Sequence, residues 1–544
     1  MKPRSATRVL AVVASLVLGP GCALLDEAPA DSQLVCRSDS DCAASEVCFI
    51  DGCGDPGTDI VVEVTPNPGL GQHAQDFPVD RLRAEQNLEL FGEATVRGVT
   101  ERATGGTAPD GSPATRPYSE TMFVRAVGSS ALVPGVARYH EALVTPDNGV
   151  WRLPVAAGTY EVMLIPSDPS LPPLPRQGSV GPGQTMHLTW RLPAQADLVT
   201  VSGRIVRQGT TRVDANLSVQ ALDAELRPLS QRVLVTRATG DFSLQLAPEA
   251  ATEATVLLRV TAADEGTLVP QKTFTVDPHA PLPASLELGD FGAPVRVSGR
   301  AVDSEGNPVA GATVSLEGRV GGGGSFRSEV VTTGVDGRFE IASLPSATDA
   351  PLSLVVMPPA GAAAGLTVGA AAVHVNDTTL PDVVCATRRL VRGQLRQPDD
   401  KSPAAGVRLI AEPVATVPGR PLPGTQLAET LTDANGEYVL RLDPALYRVD
   451  FLPTENLPRV SRFVTVPPSD TVEQQVAAFA LQRGRTLRGH VLAGTREPHM
   501  PPGLPYASVR FYRVVNVEGR PASVLLSESV TDTFGRYTAR LPVR

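Results

Sequence analysis

One pattern governs the chain: a threonine, three residues, a glycine, one residue and an aromatic. It occurs five times at the same internal spacing, as Thr145/Gly149/Trp151, Thr236/Gly240/Phe242, Thr333/Gly337/Phe339, Thr432/Gly436/Tyr438 and Thr531/Gly535/Tyr537. Successive glycines stand 91 to 99 residues apart, a domain-sized period rather than the roughly 20–50 residues of a solenoid unit. Turn-forming residues precede most of the glycines, as in Asp147-Asn148 and Ala434-Asn435. The pattern predicts a turn in which glycine supplies positive φ, feeding a strand whose first inward residue is the aromatic.

Upstream of each turn stands an aliphatic residue, Ser or Arg, then Gly: Val96-Arg97-Gly98, Val201-Ser202-Gly203, Val297-Ser298-Gly299, Val391-Arg392-Gly393 and Leu487-Arg488-Gly489. Downstream, segments such as Gly158-Thr159-Tyr160-Glu161-Val162 and Ala445-Leu446-Tyr447-Arg448-Val449 alternate with period two. Short alternating strands between regular turn signals predict an all-β chain of sandwich modules. The 49 Gly and 50 Pro in 544 residues argue against helices, and 42% hydrophobic residues suffice for several cores.

The third repeat carries a more specific likeness. Val297-Ser298-Gly299-Arg300-Ala301-Val302, then Gly306-Asn307-Pro308-Val309-Ala310-Gly311-Ala312-Thr313-Val314, then Thr333 to Phe339, resembles the carboxypeptidase regulatory-like domain. The fourth repeat has the related Pro403-Ala404-Ala405-Gly406-Val407 and the fifth Pro505-Tyr506-Ala507-Ser508-Val509, whereas the second lacks this step. The resemblance implies a transthyretin-like (prealbumin-like) Greek-key β-sandwich of about seven strands, used as a non-catalytic accessory module, whose fold also groups with carbohydrate-binding modules.

The N-terminus has the three parts of an export signal: Lys2, Arg4 and Arg8, an apolar run from Val9 to Leu18, and Gly19-Pro20-Gly21 before Cys22. Ten apolar residues fall short of the roughly 20 a membrane span needs. The stretch resembles a bacterial lipoprotein signal, although Gly19 occupies the position where that family usually has Leu. By that resemblance Cys22 receives lipid. Cys36, Cys42, Cys48 and Cys53 fall within 18 residues and predict two disulfides in a segment too short for a core, with three pairings open. Cys385, in an alternating apolar stretch, is expected to be a buried free thiol.

These readings divide the chain into a signal peptide (1–21), an anchor and Cys-rich segment (22–56), an N-terminal extension plus repeat one (57–196), and repeats two (197–290), three (291–386), four (387–483) and five (484–544). The extension, 57–93, is expected to pack on repeat one. The fifth repeat stops soon after Tyr537, without its closing strand, which leaves an open sheet edge. Either the module is truncated, or a partner strand completes it by β-augmentation. Gly321 to Gly324 predict a mobile hairpin tip. Short, alternating linkers such as Met186, Leu188, Trp190 and Leu192 predict a semi-rigid rod.

Catalytic signatures are missing from the sequence. The seven histidines have no metal spacing, and there is no Gly-x-Ser-x-Gly elbow or P-loop. No cofactor or metal is expected. Net charge is −10 with no clustered basic face, which speaks against nucleic acid. Aromatics are only 4% of the chain. Trp151 and Trp190 are expected in cores; Tyr506, Phe511 and Tyr512 form the one local cluster, in which alternation places Tyr506 and Tyr512 on one face, and in a strand-like run this too is expected in a core. The sequence therefore predicts a lipid-anchored cell-envelope scaffold without catalytic activity, held to the membrane by its anchor, with an envelope protein or polysaccharide as partner. Its alternatives are a carbohydrate-binding surface protein of the same fold and a regulatory partner of a separately encoded peptidase.

Overall fold

Strand pairing resolves the chain into five two-sheet modules. The computed structural model describes the hairpin 47–49/52–54 and residues 60–542, apart from 68–72, 80–83, 91, 214, 253–254, 417–426, 454–456, 469–471, 495–502 and 518–519. Among the described residues every regular element is a strand or a three-residue 3-10 turn. The chain is an all-β protein of tandem β-sandwiches.

The second module shows the plan. Its opening strand Val199–Val206 lies between Asp241–Leu246, antiparallel, and Leu286–Glu287, parallel. The facing sheet has the order Val233–Val235, Leu217–Leu222, Val256–Ala262, Lys272–Val276. Each sheet alternates, so that Phe242, Leu244 and Leu246 turn inward while Asp241 and Ser243 face solvent. The first, third and fourth modules repeat the plan. The stretch Met186 to Leu192, expected as a linker, is the last strand of module one (Thr185–Leu192), paired parallel to Ala94–Thr107.

The fifth module is assembled from both ends of the described chain. Its strands are β1 (Ile60–Thr65), β2 (Gln75–Pro78), β3 (Leu88–Leu90), β4 (Gly484–Ala493), β5 (Ser508–Val517), β6 (Arg520–Val530) and β7 (Arg536–Pro542). One sheet has the order β7-β4-β3, with β3 parallel to β4; the other runs β6-β5-β1-β2. This is the second module's topology with its last three strands supplied by β1–β3. Ile60, Val62, Val64, Val79, Leu88 and Leu90 are buried in one core with Leu487, Val491, Phe511, Leu526, Tyr537 and Leu541.

Two expectations are corrected here. Residues 57–93 were expected as an extension of repeat one, yet their strands belong to module five and only touch module one. The missing closing strand of repeat five is present, contributed by the chain itself rather than by a partner. The physical reason is burial: an unfinished sandwich leaves the backbone edge of β5 unpaired and its core open, and β1 pairs that edge while its alternating Ile60, Val62 and Val64 extend the inner face into the same core.

A straight rod is likewise excluded. Modules one to four follow one another through short connections, the fourth leads into β4, and β3 leads directly into the opening strand of module one. The order of modules is thus cyclic.

Candidate functional site

The repeated glycine and aromatic meet across the opening sheet. Gly98, Gly203, Gly299, Gly393 and Gly489 are register partners of Trp151, Phe242, Phe339, Tyr438 and Tyr537. A methyl group on Gly98 or Gly393 would overlap the Trp151 or Tyr438 ring, and one on Gly299 would lie 2.6 Å from Phe339. The opening glycine is therefore a slot for the ring, and all five rings are at most 5% exposed. Burial pushes the Tyr438 hydroxyl up to about 12. The turn glycines Gly149, Gly240, Gly337, Gly436 and Gly535 have φ between +72° and +79°. Each accepts, at its carbonyl, the N–H of an opening-strand residue at 2.8 Å: Thr100, Ile205, Ala301, Leu395 and Val491.

The motif threonine divides the modules. Thr333, Thr432 and Thr531 are buried. Each hydroxyl accepts the N–H that starts the second strand (Ala312, Val407, Ala507) and donates to Val309, Ala404 or Leu504. Thr145 and Thr236 are exposed and do not make this bridge.

Between modules lie polar locks that no sequence pattern announces. At the seam of modules five and one, the Arg138 guanidinium binds Glu63 at 3.0 Å and Asp76 at 2.8 Å, and Asp76 also accepts the Ser130 hydroxyl. Arg138, Glu63 and Asp76 are all buried. The two carboxylates raise the arginine's pKa against the opposing effect of its burial. Beside them the His73 and His140 rings stand 4.6 Å apart. Burial, then the charges of His73 and Arg138, lower His140 to about 4. Its Nε2 accepts the Ala156 N–H, which suits the neutral ring.

The other seams have locks of their own. Gln231 of module two donates to the carbonyls of Pro166, Asp168 and Leu171 of module one at 2.8 to 2.9 Å. Gln271 and Ser325 join modules two and three by paired backbone hydrogen bonds. Arg388 binds Asp443 at 3.0 Å and the carbonyls of Pro358 and Pro359, tying module three to module four. Strand Val460–Val466 of module four runs beside β6. Each module touches the next and the fifth touches the first, so head-to-tail contacts close into a ring. Arg138, Glu63, Asp76, Arg388, Asp443 and Gln231 were missed from the sequence; an acid or amide inside an apolar alternation, as at Glu63, was the one available signal.

The remaining sequence expectations fall as follows. Cys22, Cys36 and Cys42 lie outside the described residues. Cys48 and Cys53 are backbone register partners in the N-terminal hairpin, which pairs with β5 through Cys53 and Asn516. Cys385 is a buried thiol, its pKa raised by that burial. Trp190 is fully buried, its ring 5.3 Å from that of Trp151. The Gly321–Gly323 turn is no free hairpin tip: it packs on Gly289, and Lys272 donates to the Gly322 carbonyl at 3.0 Å. The aromatic cluster is split. Phe511 is core, Tyr512 is half-buried and Tyr506 is exposed: alternation holds through β5 and turns Val509, Phe511 and Arg513 inward, so Tyr512 takes the outer face, and Tyr506 stands in the turn before the strand.

Among the described residues no three His, Cys, Asp or Glu side chains gather as a metal site, and no helix is long and apolar enough to cross a membrane.

No family model and no curated protein matches the chain. Among solved structures it is similar to a streptococcal ancillary pilin, at 14% identity over 53% of this chain and 99% of that one, TM-score 0.19. It is also similar to the shaft pilin spaA from Lactobacillus rhamnosus GG, at 8% over 35% and 96%, TM-score 0.18. A third likeness is to the Bacillus anthracis TIE protein, at 9% over 71% and 74%, TM-score 0.17. Likeness at this level assigns no function; the tandem β-sandwich architecture rests on the strand pairing itself.

Proposed function

We propose that the chain is a non-catalytic, exported cell-envelope scaffold: a closed ring of five β-sandwich modules carried on a short cysteine-bearing stem and anchored through lipid on Cys22. The observation that carries the scaffold reading is the completion of module five by β1–β3, which makes the modules one mechanical unit rather than a string of independent domains. Buried locks support a fixed arrangement: Arg138 pairs across a seam with Glu63 and Asp76, and Arg388, held by Asp443 within module four, donates to the Pro358 and Pro359 carbonyls of module three; a buried charge tolerates little separation from its partners. The export signal and the clustered cysteines support the address. The resemblance of repeats three and four to carboxypeptidase regulatory-like domains supports modules that present surfaces rather than perform reactions.

Small-angle scattering of the full chain tests the ring. Five modules, each roughly 30 Å long from strands of about nine residues, would reach about 150 Å as a rod. A ring is expected at about half that maximum dimension, and a value near the rod length would refute it. Labelling of cells with radioactive palmitate tests the anchor: label on wild type and none on Cys22→Ser is the expected result.

A further inference from the structure

The five modules serve as internal controls for one another, and the fifth departs from its sisters at two turns. In the repeated turn the residue before the glycine is Asn148, Thr239, Asp336 or Asn435 in modules one to four. In module five it is Phe534, with a ring 65% exposed. The turn does not require it. Asp532 accepts the N–H groups of Phe534 and Arg536 at 2.8 Å, as Asp433 does those of Asn435 and Glu437 around the polar version of the same turn.

The second departure faces the first. Between their first and second strands, modules three and four place Gly311 and Gly406 at φ +70° and +71°. Their N–H groups donate to the carbonyls of Thr333 and Thr432 at 3.1 and 3.0 Å. Tyr506 is the equivalent residue in module five. It makes the same bond, to the Thr531 carbonyl at 3.2 Å, at φ +56°. A side chain with a β-carbon is disfavoured in this region, and a bulky one is an outlier. Tyr506 gains no core contact to offset that strain, because its side chain is 57% exposed. The two turns are in backbone contact through Gly503 and Gly535, so Tyr506, Phe534 and the exposed Val530 share one corner. The Arg536 guanidinium lies 5.3 Å over the Phe534 ring.

We propose that this corner is a stacking platform for a neutral saccharide. The Tyr506 ring, held outward at the expense of backbone strain, and the exposed Phe534 ring beside it suit the apolar C–H face of a pyranose. Asp532, Thr533 and Arg536 at the rim supply acceptors and donors for its hydroxyls. The rim charges of Asp532 and Arg536 balance, which favours an uncharged ligand over a polyanion or an anionic membrane surface, both of which call for excess cations. Tyr506 and Phe534 lie on turns that make none of the seam contacts described above, so this reading is tested separately from the scaffold.

The test uses the full chain and two variants that copy sister modules, Tyr506→Gly and Phe534→Asn. Retention is measured on insoluble cellulose, chitin and purified peptidoglycan sacculi, together with the melting temperature. Wild type is expected to bind at least one of the three saturably. Tyr506→Gly is expected to melt higher, because glycine relieves the strain, while losing roughly tenfold or more in affinity; Phe534→Asn is expected to lose a similar factor at an unchanged melting temperature. Absence of saturable wild-type binding to all three overturns the proposal, as does affinity unchanged in both variants. A lower melting temperature for Tyr506→Gly overturns the strain argument beneath it. Binding of a proline-rich peptide at this corner in place of the polysaccharides would also overturn it.

Discussion

Val62→Asp, a substitution in β1, is expected to unfold strands at the opposite end of the chain. Val62 is fully buried and is the register partner of Phe511 on one side and Phe77 on the other. Removing its contact with the core forfeits about 1.5–3 kcal/mol. The introduced carboxylate meets a cluster of Ile60, Val64, Leu90, Leu526 and Leu541, and burial without a partner adds a further penalty of roughly 2 kcal/mol or more. A loss of about 4–5 kcal/mol or beyond is comparable to the whole stability of a small domain, about 5–15 kcal/mol. Hydrogen exchange read by mass spectrometry is the assay. Peptides covering β4 and β7 (484–493 and 536–542) are expected to lose protection, whereas a peptide covering Val295–Val302 of module three keeps it. Glu89→Gln, on the solvent face of β3, is the control and is expected to shift stability by less than about 0.5 kcal/mol. Rapid exchange confined to residues 60–65, with β7 protected as in wild type, would refute the composite module.

Other expectations address the turns and the seam. Gly299→Ala places a methyl 2.6 Å from the Phe339 ring and is expected to cost about 1–3 kcal/mol in urea unfolding; adding Phe339→Leu should recover part of that loss, and strict additivity would count against the slot. Thr333→Val removes a hydroxyl that satisfies both the Ala312 N–H and the Val309 carbonyl, so a loss of about 1–3 kcal/mol is expected, against almost none for the exposed Thr145→Val. His140, lowered from 6.5 to about 4 mainly by burial, is held neutral by the fold. Its contribution is fully present above pH 6.5 and is lost as the pH falls through about 4. His140→Gln should flatten the pH dependence of the melting temperature between pH 7 and 4, and an identical slope in both proteins would contradict this.

Legibility followed the range of the interactions. Strand class and module count were readable because alternation and turn chemistry act over a few residues: Asp433, Asn435, Gly436 and Tyr438 specify a turn and an inward ring wherever they occur. The pairing of Gly393 with Tyr438 was half readable, both residues being visible but their register being set by the strand between them. Tyr506 misled, since it stands at positive φ in the turn before Ser508, where an aromatic side chain points to solvent rather than into the core that a strand-like run suggests. Among the seams, Arg138 gives no local sign of its role, because its partners Glu63 and Asp76 lie far away in sequence and meet it only when module five folds.

By itself the sequence determined that the chain folds as repeated β-sandwiches, because a period-two apolar pattern punctuated by glycine turns has few other ways to bury itself. Only the tertiary structure decided which segment completes the fifth one. Residues 60–90 carry none of the repeat's turn signature, which marks the third and fourth strands and says nothing about the last three. Hydrophobic burial is non-directional: any alternating segment of suitable shape satisfies an open apolar face, whichever end of the chain supplies it. That freedom let β1–β3 close the fifth module and turned an expected rod into a ring.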